Sequence, residues 1–183
     1  MKTVINFISG PGCGKSVCAS LVFAELKMMH LKAEYVQEYA KSLIYEQRFE
    51  ELNNQYNVSM SQYKSIKAVS EVVDFVVTDS PLLLGIYYNR TYPDNVCNVQ
   101  KVENILINKL SEFQNIYIFL ERNHKFDFET SGRVHTHAQS IQIDEDLKKM
   151  LTEFNLPYKT FLSDRTSISG ILDYIFSFKN KHS

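Results

Sequence analysis

The chain opens with a β-branched, apolar run, Thr3-Val4-Ile5-Asn6-Phe7-Ile8, which passes directly into Ser9-Gly10-Pro11-Gly12-Cys13-Gly14-Lys15-Ser16. Val17 to His30 follows with the composition of a helix, carrying Ala19, Leu21, Ala24, Glu25, Leu26 and Lys27. Strand, glycine-rich turn and helix in that order constrain the fold more than any other stretch, and they give the glycines a mechanism. Glycine lets consecutive backbone N–H groups turn inward around phosphate oxygens, since no Cβ blocks the required dihedrals. A helix beginning at Lys15 adds unpaired amides and the positive end of its dipole. The pattern predicts a nucleoside triphosphate held by Gly10, Pro11, Gly12, Cys13, Gly14, Lys15, Ser16 and Val17. Lys15 would reach the β and γ phosphates, and the Ser16 hydroxyl would ligate Mg²⁺. The usual pattern has glycine at its first position, where this chain has Ser9. Serine is small, and Gly10 and Gly12 remain, so the loop is expected to close.

At 183 residues the chain fits one domain, 1–183, with a sizeable core. Its 44% hydrophobic and 22% charged residues are ordinary for a soluble globular protein, and no apolar run approaches a membrane span. The N-terminus enters the first strand at once, so a cleavable signal is not expected. Cys13, Cys18 and Cys97 are odd in number and lack paired metal-ligand spacing, which points to a reducing, cytoplasmic setting. A formal net charge of −1 gives no bulk attraction to nucleic acid, which counts against duplex binding without excluding a local basic groove.

Along the chain, strands are expected at Lys32 to Gln37, Asp74 to Asp79, Asn115 to Leu120 and Tyr158 to Leu162, with turns and helical patterns between them. The helices are read as Tyr39 to about Asn53, Ser59 to about Val72 with Ser59 as cap, Val96 to Glu112, Ile141 to Phe154 and Ser163 to Phe178. Leu82-Leu83-Leu84 opens a short helical or loop segment. This alternation predicts an α/β fold with three layers, a five-stranded parallel sheet covered on both faces, as in phosphate-loop nucleotide-binding domains.

In an open parallel sheet, ligands gather outside the carboxyl ends of the strands. Asp79 ends the Phe75-Val76-Val77 strand, where an acid can support Mg²⁺, usually through water. The competing reading is a helix-capping aspartate before Pro81. Glu38 follows the second strand and can accept a proton from an attacking hydroxyl, or it is a solvated surface glutamate. Lys41, Tyr45 and Arg48 either face an acceptor or form a solvated face, and Gln62 with Tyr63 are weaker candidates for reading a base. The polar stretch 122–137, bracketed by Arg122 and Arg133, has the character of a lid whose arginines close over the transferring phosphate. An ordinary mobile loop is the competing account. His135 and His137 lack partner ligands and are read as loop histidines.

Four blocks in order, Gly10-Pro11-Gly12-Cys13-Gly14-Lys15-Ser16, Glu38-Tyr39-Ala40-Lys41, Thr78-Asp79-Ser80-Pro81-Leu82-Leu83-Leu84-Gly85 and Phe119-Leu120-Glu121-Arg122, carry a resemblance. The chain is similar to small phage-type phosphate-loop nucleoside and nucleotide kinases related to the ribosylnicotinamide kinase domain and to phage 5-hydroxymethyluracil DNA kinases. The resemblance implies an ATP- and Mg²⁺-dependent phosphotransferase, in the host cytoplasm if phage-encoded, acting on a nucleoside, a nucleotide or hydroxymethylated DNA. In that scheme Lys15, Glu38, Asp79, Arg122 and Arg133 are catalytic, and Ser16 with Asp79 serve the metal. The alternative from another class is a nucleotide-dependent ATPase or switch that binds a protein partner.

Overall fold

The computed structural model describes residues 2–125 and 135–182. Five strands, β1 (Thr3–Ile8), β2 (Ala33–Val36), β3 (Phe75–Thr78), β4 (Gln114–Glu121) and β5 (Tyr158–Leu162), form one sheet in the order β2-β3-β1-β4-β5. Every pairing is parallel, with Thr3 opposite Phe75 on one side and Gln114 on the other. The order reverses beside β1, so the loop leaving β1 opens at the topological switch point, where such sheets bind ligands. The expected α/β architecture is observed.

Strand alternation divides the core. Ile5, Phe7, Phe75 and Val77 face one way, onto α1 (Lys15–Met28) and α8 (Ile168–His182). Val4, Ile8, Val76 and Phe119 face the other way, onto α4 (Gln55–Ser70), α5 (Leu82–Thr91), α6 (Val99–Leu110) and α7 (His137–Glu153). Both faces are dry, which is why the strands read as near-continuous apolar runs. A smaller cluster of Leu43, Leu52 and Val58 ties α2 (Tyr39–Tyr45) and α3 (Phe49–Leu52) onto α4. Among the described residues no helix is long and apolar enough to cross a membrane.

Helix ends differ from the sequence expectations for identifiable reasons. The single helix expected from Tyr39 to about Asn53 is broken at Gln47, which sits at φ 57°. There Gln47 N–H bonds Ile44 O and Arg48 N–H bonds Leu43 O, a left-handed C-terminal cap without glycine. Helix α4 starts at Gln55, one turn before Ser59, because the Asn54 side chain accepts from Asn57 N–H at 3.0 Å. Asn98 likewise caps α6, and Thr136 with Gln139 forms a capping box that starts α7 at His137 instead of Ile141. A 3₁₀ turn over Arg165–Ser167 precedes α8, so that helix begins later than the expected Ser163. The central part of the expected lid, 126–134, lies outside the described residues.

Candidate active site

The turn after β1 is built by backbone that side-chain-bearing residues avoid. Gly12 and Gly14 have φ of 79° and 87°, and Gly14 O accepts the first helical bond of α1 from Cys18 N–H. Gly10 is needed for another reason. A Cβ there would strike Ser140 O and lie 2.9 Å from Arg122 Nη2. The Lys15 ammonium is folded onto the loop, donating to Ser9 O at 2.8 Å and Gly10 O at 3.1 Å. Burial pulls its pKa below the ordinary lysine value, against the opposing pull of Glu38, Cys13, Asp79 and Asp144. The Cys13 thiol donates to Leu120 O, and burial pushes its pKa up, so it behaves as a packed side chain and not as a reactive thiol.

Asp79, just beyond β3, is 3% exposed and accepts a 2.5 Å bond from the Ser16 hydroxyl through Oδ2. Its Oδ1 is buried without a hydrogen-bond partner among the described residues. A hydroxyl beside an under-satisfied carboxylate, at the mouth of a helix, fits Mg²⁺, a hard cation that keeps several waters and shares itself with phosphate oxygens. Among the described residues no group of three or more His, Cys, Asp or Glu side chains gathers as a metal cage. Tyr35 of β2, which the sequence reading passed over, also belongs here. Its phenol lies against Asp79, with Ser20 and Ser16 alongside, and burial together with that carboxylate raises its pKa.

Beside the loop is a cavity of about 440 Å³. Gly12, Gly14, Lys15, Ser16 and Val17 form one wall, and Glu38 stands at the same cavity. Glu38 is the residue at which α2 starts, with extended backbone, so the strand-to-helix turn carries its carboxylate toward Lys15. Lys41 and Tyr45 from α2 reach the cavity; Arg48 does not, and its guanidinium pairs on the surface with Glu51 and Glu46. Gln62 lines the cavity, yet its amide accepts from Tyr39 N–H and donates to the Thr78 hydroxyl, so it fixes α4 against β3. Tyr63 points elsewhere and donates to Glu112 at 2.7 Å. Tyr88 and His135 complete the cavity, their rings 6.0 Å apart. Burial, with Glu38 nearby, raises the Tyr88 pKa, and burial lowers that of His135.

Arg122 is not part of that cavity lining. Its Nε donates to Asp144 Oδ2 at 2.6 Å, Nη1 to Pro11 O at 3.1 Å, and Nη2 to Ser140 O at 3.0 Å. Asp144 Oδ1 in turn accepts from Gly10 N–H at 2.5 Å, and the Ser140 hydroxyl donates to Pro11 O. Here Arg122 braces the phosphate loop from behind, and reaching over a phosphate would require breaking the Asp144 pair. Arg133 lies outside the described residues.

The model of a family described as AAA domain matches residues 4–166. No curated protein matches in a sequence comparison. Among solved structures, a NadR protein in complex with NR superposes with a TM-score of 0.70 at 15% identity, covering 94% of this chain and 51% of that one. The chain therefore spans about half the length of the NadR chain it matches. Deoxyadenosine kinase from M. mycoides, solved with bound dATP, gives 0.61 at 15% identity, with coverages of 94% and 99%. Thymidylate kinase from Candida albicans gives 0.54 at 13%, with coverages of 99% and 92%. These likenesses establish the fold.

Proposed function

The chain belongs to this AAA-domain family, and from that premise we propose that it is an ATP-dependent kinase that phosphorylates a hydroxyl of a nucleoside, a nucleotide or a hydroxymethylated pyrimidine. The observation that carries the reading is that Lys15, Ser16 and Glu38 line one cavity, with Asp79 bonded to Ser16, and that this cavity extends well past the phosphate loop between α2, α4 and α5. A nucleotide switch needs the loop and the metal site. It does not need that cavity to run on into a largely apolar extension with a carboxylate at its junction with the phosphates. The names of the solved neighbours, which act on or bind nucleosides and nucleotides, support the same class.

In this mechanism the amides of Gly12, Gly14 and Lys15 cradle the phosphates, and the Lys15 ammonium moves from the carbonyls of Ser9 and Gly10 to the β and γ oxygens. Ser16 and, through water, Asp79 would hold Mg²⁺, which supplies charge neutralisation on the phosphates. Glu38 accepts the acceptor's hydroxyl proton as the new oxygen–phosphorus bond forms. The bond from the γ phosphorus to the bridging oxygen breaks, and ADP leaves with that oxygen. Arg122 serves this chemistry through the loop it braces, with Arg133 as the arginine proposed to close from the lid.

The test is mass spectrometry of nucleosides, their monophosphates, nicotinamide riboside and 5-hydroxymethyluracil-containing DNA after incubation with Mg·ATP. One acceptor should gain a phosphoryl group, and Lys15→Ala should lower that transfer by about a thousandfold or more without unfolding the protein. Undiminished transfer in the Lys15 variant, or hydrolysis indifferent to every acceptor, refutes the kinase reading.

A further inference from the structure

One polar side chain on the cavity wall is held in place without being used up. Gln55, in the first turn of α4, lines the cavity and is only 4% exposed. Its Nε2 donates to Leu52 O at 2.8 Å. A carbonyl can only accept, so that bond fixes which end of the amide is nitrogen and turns Oε1 the other way. Oε1 accepts from no described residue, and it is not among the polar atoms that packing has sealed from solvent without a partner, as the Ser59 hydroxyl is. One acceptor and the second N–H of the amide therefore remain for whatever enters. Gln62, two turns further along the same helix face, instead spends its amide inside the protein, on Tyr39 N–H and the Thr78 hydroxyl.

The surroundings say what that amide would meet. Gln62 stands at the end of β3, next to Asp79, and Gln55 lies two turns back, about 10 Å along the helix at roughly 1.5 Å per residue. The cavity thus offers phosphate and metal groups at one end and the Gln55 amide at the other, where Leu52 and Val58 pack with Tyr92. Ile44 and Leu84 extend the apolar wall, and Tyr88 adds an aromatic one. Apolar walls with one polar group between them suit a heteroaromatic ring, whose faces are greasy and whose edge carries donors and acceptors. An amide with its oxygen and one N–H free matches an edge on which an N–H stands beside an acceptor, as it does on nucleobases and on ring carboxamides.

We infer that Gln55 reads the ring of the acceptor, its Oε1 and free N–H pairing with the donor–acceptor edge of a nucleobase or a ring carboxamide. This rests on the kinase reading, and it names the part of the acceptor that the site recognises. The contact is with the ring, so it holds for a nucleoside and for its 5′-phosphate alike; Lys15 and Lys41 share the cavity with Glu38. A site that leaves its amide unpaired against the wrong ring rejects that ring more sharply than an apolar surface could. Gln55 acts by touching the acceptor, so its effect falls on acceptor binding and not on the phosphate loop.

The experiment is calorimetric titration of wild type, Gln55→Met and Gln55→Leu, each saturated with AMP-PNP and Mg²⁺. The ligands are thymidine, deoxycytidine, deoxyadenosine, deoxyguanosine and nicotinamide riboside, their 5′-monophosphates, and for each an analogue whose edge has lost its N–H. Those analogues carry purine for adenine, pyrimidin-2-one for cytosine, nicotinic acid for nicotinamide, and the ring N-methyl forms of thymine and guanine. At least one ligand should bind wild type about tenfold or more tighter than its analogue, and either Gln55 variant should bring the two within about threefold of each other. AMP-PNP affinity should stay within about twofold in at least one variant, which shows that the phosphate loop is intact there. A merely structural Gln55 would weaken ligand and analogue alike and leave their ratio as in wild type, and that result overturns the inference. So does a wild type that binds none of the panel or that binds each ligand no tighter than its analogue, and so does AMP-PNP binding lost in both variants. Phosphoryl transfer by wild type to an acceptor whose affinity ignores its edge would leave the kinase standing while this inference fails, whereas a wild type without AMP-PNP binding or any transfer would remove both.

Discussion

Removing the Asp144 carboxylate should cost more stability than any other single truncation near the site. The Arg122 and Asp144 side chains are only 10% and 11% exposed, and their 2.6 Å contact is one strand of a knot that also holds Gly10 N–H and Pro11 O. In Asp144→Ala the guanidinium stays buried, keeping Pro11 O and Ser140 but losing its counter-charge, and Gly10 loses its acceptor. Breaking one side of a buried pair costs roughly 3–5 kcal/mol, and the carbonyls that remain place this case near the lower end, at about 3 kcal/mol. With a urea slope of about 2 kcal/mol/M, the unfolding midpoint should fall by about 1.5 M. The ATP dissociation constant should also rise, because the loop loses its rear anchor. Replacing both partners, Arg122→Met with Asp144→Leu, should be less harmful than Asp144→Ala alone, since no charge is then stranded. A midpoint shift corresponding to less than about 1 kcal/mol, or a double variant worse than the single one, would refute the brace.

Asp79→Asn keeps an acceptor for the Ser16 hydroxyl but removes the charge, so the Mg²⁺ concentration for half-maximal activity should rise by about 10–100-fold. An unchanged Mg²⁺ requirement would reduce Asp79 to a partner for Ser16. The Tyr117 hydroxyl on β4 is buried without a partner among the described residues, so Tyr117→Phe should gain up to about 1 kcal/mol in urea unfolding. A loss of stability in that variant would show that the hydroxyl is satisfied in solution.

The sheet was legible because both its faces are covered, so each strand announces itself as an apolar run bounded by turn residues. Helix ends were harder to read, and their chemistry explains why. His30, Gln47 and Asn155 all take left-handed backbone at φ between 52° and 58°, each closing a helix with reverse bonds from its own amide and the one that follows. Glycine is the usual signal for that cap, and here it is absent from all three. The start of α4 was masked in the opposite way. Asn53-Asn54-Gln55-Tyr56-Asn57 looks like a break, yet Asn54 is a cap and the residues after it are the first turn.

The site divides along a similar line, between chemistry that sequence neighbours reveal and chemistry that only packing creates. Lys15, Ser16, Glu38 and Asp79 each sit where a strand gives way to a loop or helix, and the parallel order β2-β3-β1 brings those ends side by side without further instruction. Asp144 and Ser140 carry no such mark. They lie on α7, over 120 residues from the loop they hold, at positions that read as one polar stripe of an amphipathic helix. Gly10 carries a faint trace of them, since its missing Cβ makes room for Ser140 and Arg122. A glycine in a phosphate loop is read as conformational freedom for the phosphate, and that reading conceals its second duty. The loop is thus shaped from two sides, by its own glycines in front and by the α7 brace behind, and only the front face is written in contiguous sequence.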